Sequence, residues 1–117
     1  MTIMIVEDNL RARRALKALL SEQPGIRVTA EASNGQEAIQ NIGRQIPDIV
    51  LMDMRMPVMN GPEATRAIRA KWPQIKIVAL TMYPDYQVEA LSAGADAFLL
   101  KGCPVEEMTA VIRTFEG

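Results

Sequence analysis

Five short apolar runs alternate with segments of helical periodicity along this 117-residue chain, and this alternation limits the possible folds more than any other feature. The runs predict strands over 3–6, 27–32, 48–52, 75–80 and 96–100. The third run is continuously apolar from Ile49 to Met52, as in strands that are covered on both faces. Parallel strands need long crossover connections, which the intervening helices supply. The chain is therefore predicted to be an α/β domain, a three-layer (βα)5 unit with a parallel sheet between two layers of helices.

Apolar residues recur every three or four positions between the predicted strands, which is typical of helices with one buried face. Helix by helix, they are Leu10, Leu16, Leu19 and Leu20; Ala38, Ile39, Ile42 and Ile46; Ala64, Ala67 and Ile68; Val88 and Leu91; and Val105, Met108, Val111, Ile112 and Phe115. Asn60 is predicted to cap the third helix, with Pro62 in its first turn. Gly94 suits the left-handed residue that ends many helices.

Composition and charge exclude several classes of protein. The chain has no histidine and one cysteine, so histidine-based nucleophiles, histidine-ligated zinc and an internal disulfide are excluded. A net charge of −1 gives no general attraction to nucleic acid or anionic lipid. A basic run on the first helix is interpreted as a solvated face: Arg11, Arg13, Arg14 and Lys17. We expect a cytoplasmic protein that contacts neither nucleic acid nor membrane through these residues.

Polar residues follow four of the predicted strands. Glu7 and Asp8 follow the first strand, Asp53 the third, Thr81 the fourth and Lys101 the fifth. Because parallel strands end at one edge of the sheet, where doubly wound folds place their sites, we expect these side chains to share a rim. Like charges about 4 Å apart cost roughly 4 kcal/mol at an effective dielectric constant of about 20. The excess of carboxylates therefore predicts an oxygen-loving divalent cation, Mg²⁺, which could orient a phosphoryl group.

Motifs at these strand ends resemble one known family. They are "VEDN" after the first strand, "LMDMRMPVMNG" at the third, "ALT" at the fourth and "GADAFLLK" at the fifth. In this order and spacing they resemble the receiver domain of two-component response regulators, and "LTMYPDY" is most similar to receivers of LuxR/NarL-type transcriptional regulators. The resemblance covers essentially the whole chain. It implies a flavodoxin-like fold with strand order 2-1-3-4-5 and one receiver domain over 1–117, with a helix-turn-helix output domain beyond residue 117.

The resemblance also implies a role for each residue of the rim. Asp53 would be the phospho-acceptor, and Thr81 and Lys101 would bind the phosphoryl oxygens. The implied Mg²⁺ ligands are Asp8, Asp53, the backbone carbonyl of Arg55 and, through a water, Glu7. A sensor histidine kinase would be the phosphodonor. The domain would then be no enzyme beyond Mg²⁺-dependent self-phosphorylation from a donor and slow self-dephosphorylation.

A conformational switch is implied as well. Phosphorylation would draw the hydroxyl of Thr81 toward the phosphoryl group, and Phe98 would turn inward behind it. The surface of helix four, strand five and helix five would then change. That change would alter homodimerisation, or docking to the chain's own C-terminal output domain. Bulky Met82 and Tyr83 beside Thr81 predict slow hydrolysis of the acyl phosphate, because they hinder an incoming water.

Three other functions share parts of this pattern. A receiver-like scaffold that works without phosphorylation would need none of the rim residues, and all five are present. A phosphatase of the haloacid-dehalogenase type needs a second aspartate two residues after the nucleophile, where Arg55 stands. A flavodoxin-like flavin binder needs a hydroxyl-rich loop after the first strand, where "EDNLRAR" is acidic instead. Beryllofluoride binding that depends on Asp53 would separate the receiver from the scaffold.

Overall fold

A single parallel sheet with strand order β2-β1-β3-β4-β5 forms the centre of the protein, whose computed structural model describes residues 1–116. The strands are β1 (Thr2–Val6), β2 (Arg27–Ala32), β3 (Ile49–Met52), β4 (Lys76–Thr81) and β5 (Ala97–Leu100). All neighbouring strands run parallel. The predicted α/β class, flavodoxin-like topology and strand order are confirmed. Strand bounds differ from the prediction by at most one residue, and Thr81 is the last residue of β4 rather than the residue after it.

Five α-helices and one 3-10 turn connect the strands within the described residues. The helices are α1 (Leu10–Ser21), α2 (Gly35–Arg44), α3 (Gly61–Lys71), α4 (Gln87–Ser92) and α5 (Val105–Arg113), and the 3-10 turn is Pro84–Tyr86. Asparagine side chains cap the first three helices: Asn9, Asn34 and Asn60. Each accepts a hydrogen bond from a backbone N–H three residues later, which satisfies one free donor of the first turn. By contrast, α4 and α5 begin without a side-chain cap.

The third helix shows the predicted start in full. Asn60 accepts from the N–H of Glu63, and the Glu63 carboxylate accepts from the N–H of Asn60, which forms a capping box. Pro62 lies in the first turn as predicted. Gly94 has φ 112 after the end of α4, a conformation that favours glycine, so this prediction is also confirmed.

Apolar side chains form one buried cluster on each face of the sheet. On one face Ile42 of α2 and Ile68 of α3 pack with β1, β3 and β4, and on the other Leu20 of α1 and Ile112 of α5 do so. All four residues of β3 are buried, as its continuous apolar run predicts. Burial of each large aliphatic side chain contributes about 1.5–3 kcal/mol, so the central strands are strongly anchored. Among residues 1–116, no helix is both long and apolar enough to cross a bilayer.

Some side chains lie differently from the prediction. Five apolar residues assigned to buried helix faces are 45% to 77% exposed: Leu10, Leu19, Ile46, Val88 and Leu91. Ile46 lies beyond the end of α2, and Phe115 lies beyond α5. In α4 the fully buried residue is the small Ala90, which allows close packing against the rest of the fold. Arg13, assigned to a solvated face, is instead partly buried in an ion pair with Glu31.

Candidate functional site at the carboxyl rim of the sheet

The carboxyl ends of β1 and β3 bring three carboxylates together. Glu7, Asp8 and Asp53 each offer an oxygen within 4.8 Å of the others. The two strands are neighbours in register, with Val6 beside Met52, so the residues that follow them leave the sheet side by side. Glu7 and Asp53 are only 1% and 6% exposed, whereas Asp8 is open to solvent. The predicted acid cluster therefore exists, with one face toward water.

Backbone contacts fix the position of Asp53. Its N–H donates to the carbonyl of Val6 at 3.0 Å, and its Oδ1 accepts from the N–H of Met54 at 2.8 Å. The first residue of α3, Gly61, packs against the same turn and donates its N–H to the carbonyl of Met54 at 3.0 Å. A Cβ on Gly61 would lie 2.2 Å from the Asp53 carbonyl oxygen. The carboxylate is thus held by the end of β3 and by the start of α3.

Lys101 reaches across the rim from the end of β5. Its Nζ forms an ion pair with Oε1 of Glu7 and lies 3.2 Å from Oδ2 of Asp53. Burial lowers the pKa of Lys101, but the hydrogen bond to Glu7 and the charges of Asp53 and Glu7 outweigh burial, so its pKa lies above the ordinary value. The ammonium therefore stays charged at neutral pH. A single lysine side chain connects the ends of β1, β3 and β5.

The acids remain in excess over the lysine, and the pKa of Asp8 reflects this. Partial desolvation at the crowded rim raises the pKa of Asp8 most, followed by the hydrogen bond and the like charge of Glu7. Three carboxylates face one ammonium here, and the oxygen donors are of the kind that Mg²⁺ prefers. The chemistry of this donor set fits a divalent cation that keeps part of its hydration shell.

An open cavity of about 390 Å³ adjoins Asp8. Its other lining residues come from the loop after β3 and from the 3-10 turn: Met54, Arg55, Met56, Pro57, Asn60 and Tyr86. Arg55 therefore lies next to the acid cluster, on the side where Asp8 meets water. The cavity leaves room beside the carboxylates for a hydrated ion and a small anionic group.

Thr81 and Phe98 occupy the other half of the rim. Thr81 is fully buried, its hydroxyl accepts from the N–H of Tyr83 at 3.3 Å, and its carbonyl accepts from the N–H of Lys101 at 2.8 Å. Phe98 is half-buried on β5, beside Ala79 of β4. Among the hydrogen bonds of residues 1–116, none joins Thr81 to Asp53. The structure thus brings Glu7, Asp53 and Lys101 into contact and places Thr81 at the adjacent strand end.

Sequence reasoning missed a stack of side chains above this rim. The guanidinium of Arg55 lies 4.6 Å from the ring centroid of Tyr83, which meets the ring of Tyr86 edge to face at 6.2 Å. The stack joins the loop after β3 to the loop after β4. Its signal in the sequence is simple: Arg55 and Tyr83 each lie two residues after a strand-ending site residue, Asp53 and Thr81.

A parallel doubly wound sheet with an acid cluster, a buried hydroxyl and a lysine at its carboxyl rim is the arrangement of a two-component receiver. The chain belongs to the response regulator receiver domain family, whose model matches residues 3–113. The transcriptional regulatory protein LnrK of Bacillus subtilis is 40% identical over 114 residues, which are 96% of this chain and 52% of LnrK. The response regulator UvrY of Escherichia coli is 35% identical over the same shares. The chain spans about half the length of the curated relatives it matches.

Solved structures agree with the family and with the fold. A DNA-binding response regulator of the LuxR family from Staphylococcus aureus superposes with a TM-score of 0.90 at 30% identity, over 97% of each chain. The response regulator TrrA of Thermotoga maritima, solved in complex with Mg²⁺ and BeF, gives a TM-score of 0.90 at 30% identity over 98% of each chain. The predicted resemblance to receivers of LuxR/NarL-type regulators is confirmed.

Proposed function

We propose that Asp53 accepts a phosphoryl group from a sensor histidine kinase in the presence of Mg²⁺. The observation that carries this proposal is the contact of Lys101 with Glu7 and Asp53 inside a cluster of three carboxylates. The proposed Mg²⁺ ligands are Asp8, Asp53, the backbone carbonyl of Arg55 and, through a water, Glu7. TrrA, which is 30% identical to this chain, was solved in complex with Mg²⁺ and BeF, and this supports the choice of Mg²⁺ as the cation.

In the proposed reaction, a carboxylate oxygen of Asp53 attacks the phosphorus of a phosphohistidine. An O–P bond forms, the N–P bond breaks, and the released imidazole takes up a proton from solvent. Mg²⁺, when bound, supplies positive charge against the carboxylate and phosphoryl oxygens. Lys101 offsets the charge of the acyl phosphate, and Thr81 donates its hydroxyl hydrogen to a phosphoryl oxygen. The backbone contacts of Asp53 keep the carboxylate in place, which lowers the entropic cost of attack.

Acetyl phosphate with Mg²⁺ tests the acceptor directly. We expect the intact mass of the protein to rise by about 80 Da, the mass of one phosphoryl group. Asp53→Asn should abolish this gain, and a chelator should prevent it. Asp85→Asn, which neutralises an exposed acid of the 3-10 turn, is the matched control and should react like the unmodified protein. A mass gain that persists in Asp53→Asn, or no gain in the unmodified protein, would overturn the proposal and favour a scaffold.

The output of the domain is also a proposal. LnrK, a transcriptional regulatory protein, and UvrY, a response regulator, are each about twice as long as this chain. We infer that the domain controls a helix-turn-helix output domain beyond residue 117, and through it transcription. Phosphorylation would shift Thr81 and Phe98 and change the surface of α4, β5 and α5. Gel filtration and amide spectra with and without beryllofluoride test this: identical elution together with unchanged amides of Thr81 and Phe98 contradicts the switch.

We expect the acyl phosphate of Asp53 to hydrolyse slowly, because Met82 and Tyr83 hinder the approach of water. Met82 is 69% exposed, so Tyr83, which is held by Arg55, is the better barrier to water. Tyr83→Ala should shorten the lifetime of the acyl phosphate several-fold in a phosphate-release assay, because water then reaches phosphorus more easily. Met82→Ala is the comparison variant and should change the lifetime less. A lifetime of seconds in the unmodified protein would contradict this prediction.

A further inference from the structure

The guanidinium of Arg13 connects the end of β1 to β2, although its sequence context suggested a solvated side chain. Nη1 donates to the backbone carbonyl of Glu7 at 2.8 Å, and Nε donates to Oε1 of Glu31 at 3.2 Å. The side chains of Arg13 and Glu31 are only 16% and 30% exposed. The planar guanidinium can serve both acceptors at once, whereas a lysine ammonium has no such fixed fork. Arg13 thus acts on the turn that carries two of the three acids.

Glu31 is itself held in place. It belongs to β2 beside Ile5 of β1, and its backbone carbonyl accepts from Nδ2 of Asn41 at 3.0 Å. Its second carboxylate oxygen accepts from Nζ of Lys17 at 3.2 Å. Arg13 is therefore anchored to the sheet by a side chain with a defined position. Because Glu31 holds the guanidinium of Arg13 in place, the hydrogen bond from Arg13 to the Glu7 carbonyl also has a defined position.

The carbonyl of Glu7 and the N–H of Asp8 belong to one planar peptide unit. A hydrogen bond to that carbonyl fixes the plane, and with it the direction in which Asp8 leaves the backbone. On the other side of the same residue, the N–H of Glu7 donates to the carbonyl of Ala32 at 3.0 Å. Asp8 is exposed, so its direction depends on the backbone more than on packing. Arg13 is the side chain that donates a hydrogen bond to the carbonyl of this peptide unit.

We propose that Arg13 and Glu31 are positioning residues for the cation site, acting through the peptide unit between Glu7 and Asp8. The inference rests on the Mg²⁺ site of the proposed function. Partners of this kind, which orient metal ligands without touching the metal, contribute about 10–100-fold to metal affinity in known sites. Glu31 also has an electrostatic effect: its carboxylate offsets the positive charge of Arg13 close to the acid cluster. The pair thus orients the turn without a free positive charge that would repel a cation.

A role of Arg13 through its charge and a role through positioning predict opposite effects of Arg13→Gln on Mg²⁺ affinity. If the guanidinium acted only through its charge, its removal would strengthen the binding of a divalent cation to the acids. If it positions Asp8, its removal weakens binding. We expect Arg13→Gln to bind Mg²⁺ about tenfold more weakly than the unmodified protein. The loss should persist at high salt, where long-range charge effects are screened.

Titration of Mg²⁺ into the ¹⁵N-labelled protein, followed by the amide shifts of Asp8, Asp53 and Arg55, measures this affinity without phosphorylation. Arg14→Gln is the matched control, since it removes the same charge from the adjacent, exposed position of α1 and should change the affinity less than twofold. Arg13→Lys should recover part of the lost affinity, and Glu31→Gln should lose several-fold. Glu31→Gln also serves as the second variant if Arg13→Gln does not fold.

The outcomes distinguish this inference from the function on which it rests. Unchanged or stronger Mg²⁺ binding by folded Arg13→Gln, with normal binding by the unmodified protein, overturns the positioning role and leaves the proposed function intact. A loss of equal size in Arg14→Gln also overturns it, because the effect would then follow the charge of α1. If Mg²⁺ shifts none of the three amides in the unmodified protein, the proposed metal site itself is wrong.

Discussion

The anchored half of the molecule (β1 to α3, residues 2–71) differs from the adjustable half (β4 to α5, residues 76–113) in how its helices begin and in how long they are. All three helices of the anchored half start with an asparagine cap, and β3 is buried throughout. In the adjustable half, α4 has only six residues, and neither α4 nor α5 has a side-chain cap. Large apolar residues are exposed in both halves, for example Leu10 at 48% and Val88 at 77%, so the halves differ in helix capping and in the length of α4.

The site residues divide along the same line. Glu7, Asp8 and Asp53 belong to the anchored half, and Thr81, Phe98 and Lys101 belong to the adjustable half. Segments with few buried apolar contacts open at a lower free-energy cost than well-packed ones. Under the proposed function, the acceptor would therefore stay in place while the residues that respond to it move. The arrangement separates the chemistry from the conformational change.

Core truncation should show the largest difference between the halves. Ile68 of α3 is fully buried, so Ile68→Ala should lower the free energy of unfolding by about 2–5 kcal/mol. Leu91 of α4 is 45% exposed, so Leu91→Ala should cost less than about 1 kcal/mol, because much of its surface is already in water. Urea unfolding measures both values. Equal losses would remove the distinction between the halves.

A smaller loss of stability is expected from a substitution at Gly61, where the start of α3 packs against Asp53. Gly61→Ala would push a methyl group against the Asp53 carbonyl and the Cα of Met54, at a cost of about 1–3 kcal/mol. It should also weaken beryllofluoride binding, because Asp53 must shift. Gly43→Ala is the matched control: nothing lies within 4 Å of its added Cβ, and it should stabilise α2 by about 0.5–1 kcal/mol. Normal beryllofluoride binding by Gly61→Ala would show that the turn tolerates the shift.

Amide exchange sharpens the comparison without a mutation. The amides of α4 (Gln87–Ser92) should exchange about tenfold faster than those in the middle of α3 (Gly61–Lys71), since short, uncapped helices open more easily. Hydrogen exchange followed by mass spectrometry or by NMR measures the ratio. Beryllofluoride should change the exchange of α4 more than that of α3. Slower exchange in α4 than in α3 would contradict the assignment of the adjustable half.

The smallest expected effect concerns Cys103, just before α5. Burial raises the pKa of the Cys103 thiol, and the charge of Glu107 raises it further. Because the thiolate is the reactive form, alkylation by iodoacetamide should be slow at neutral pH and should rise only above the ordinary pKa of a thiol. Glu107→Gln should speed alkylation less than about tenfold. Glu106→Gln is the neighbouring control and should change the rate less, and the opposite order would contradict the role of Glu107.

Much of the fold and of the rim could be predicted because the signals are local. Apolar runs gave the strands, and a polar residue at a strand end necessarily lies at the edge of a parallel sheet, as Asp53 does. Asn60 and Pro62 likewise indicated the start of α3, because a helix cap and a first-turn proline are signals within a few residues of each other. These inferences need no knowledge of what lies across the fold.

The missing features depend on contacts between distant parts of the chain. Arg13 of α1 contacts Glu31, which lies eighteen positions later on β2, and the spacing of residues in α1 does not indicate this contact. The close approach of Gly61 to Asp53 depends on how α3 leaves β3. Val88 has helical spacing but faces water, because the small Ala90 makes the buried contact of α4. Periodicity identifies a helix, and tertiary packing decides which side of it is covered.

The ion pairs of Lys101 have a consequence for the range of the signal. Lys101 directly follows β5, yet its ammonium contacts carboxylates that follow β1 and β3. A group bound to Asp53 that competes for these hydrogen bonds would change how the end of β5 is held to the ends of β1 and β3. A chemical change at one oxygen atom of Asp53 would thus reach β5, which β4 separates from β3 in the sheet, through a side chain of four methylene groups.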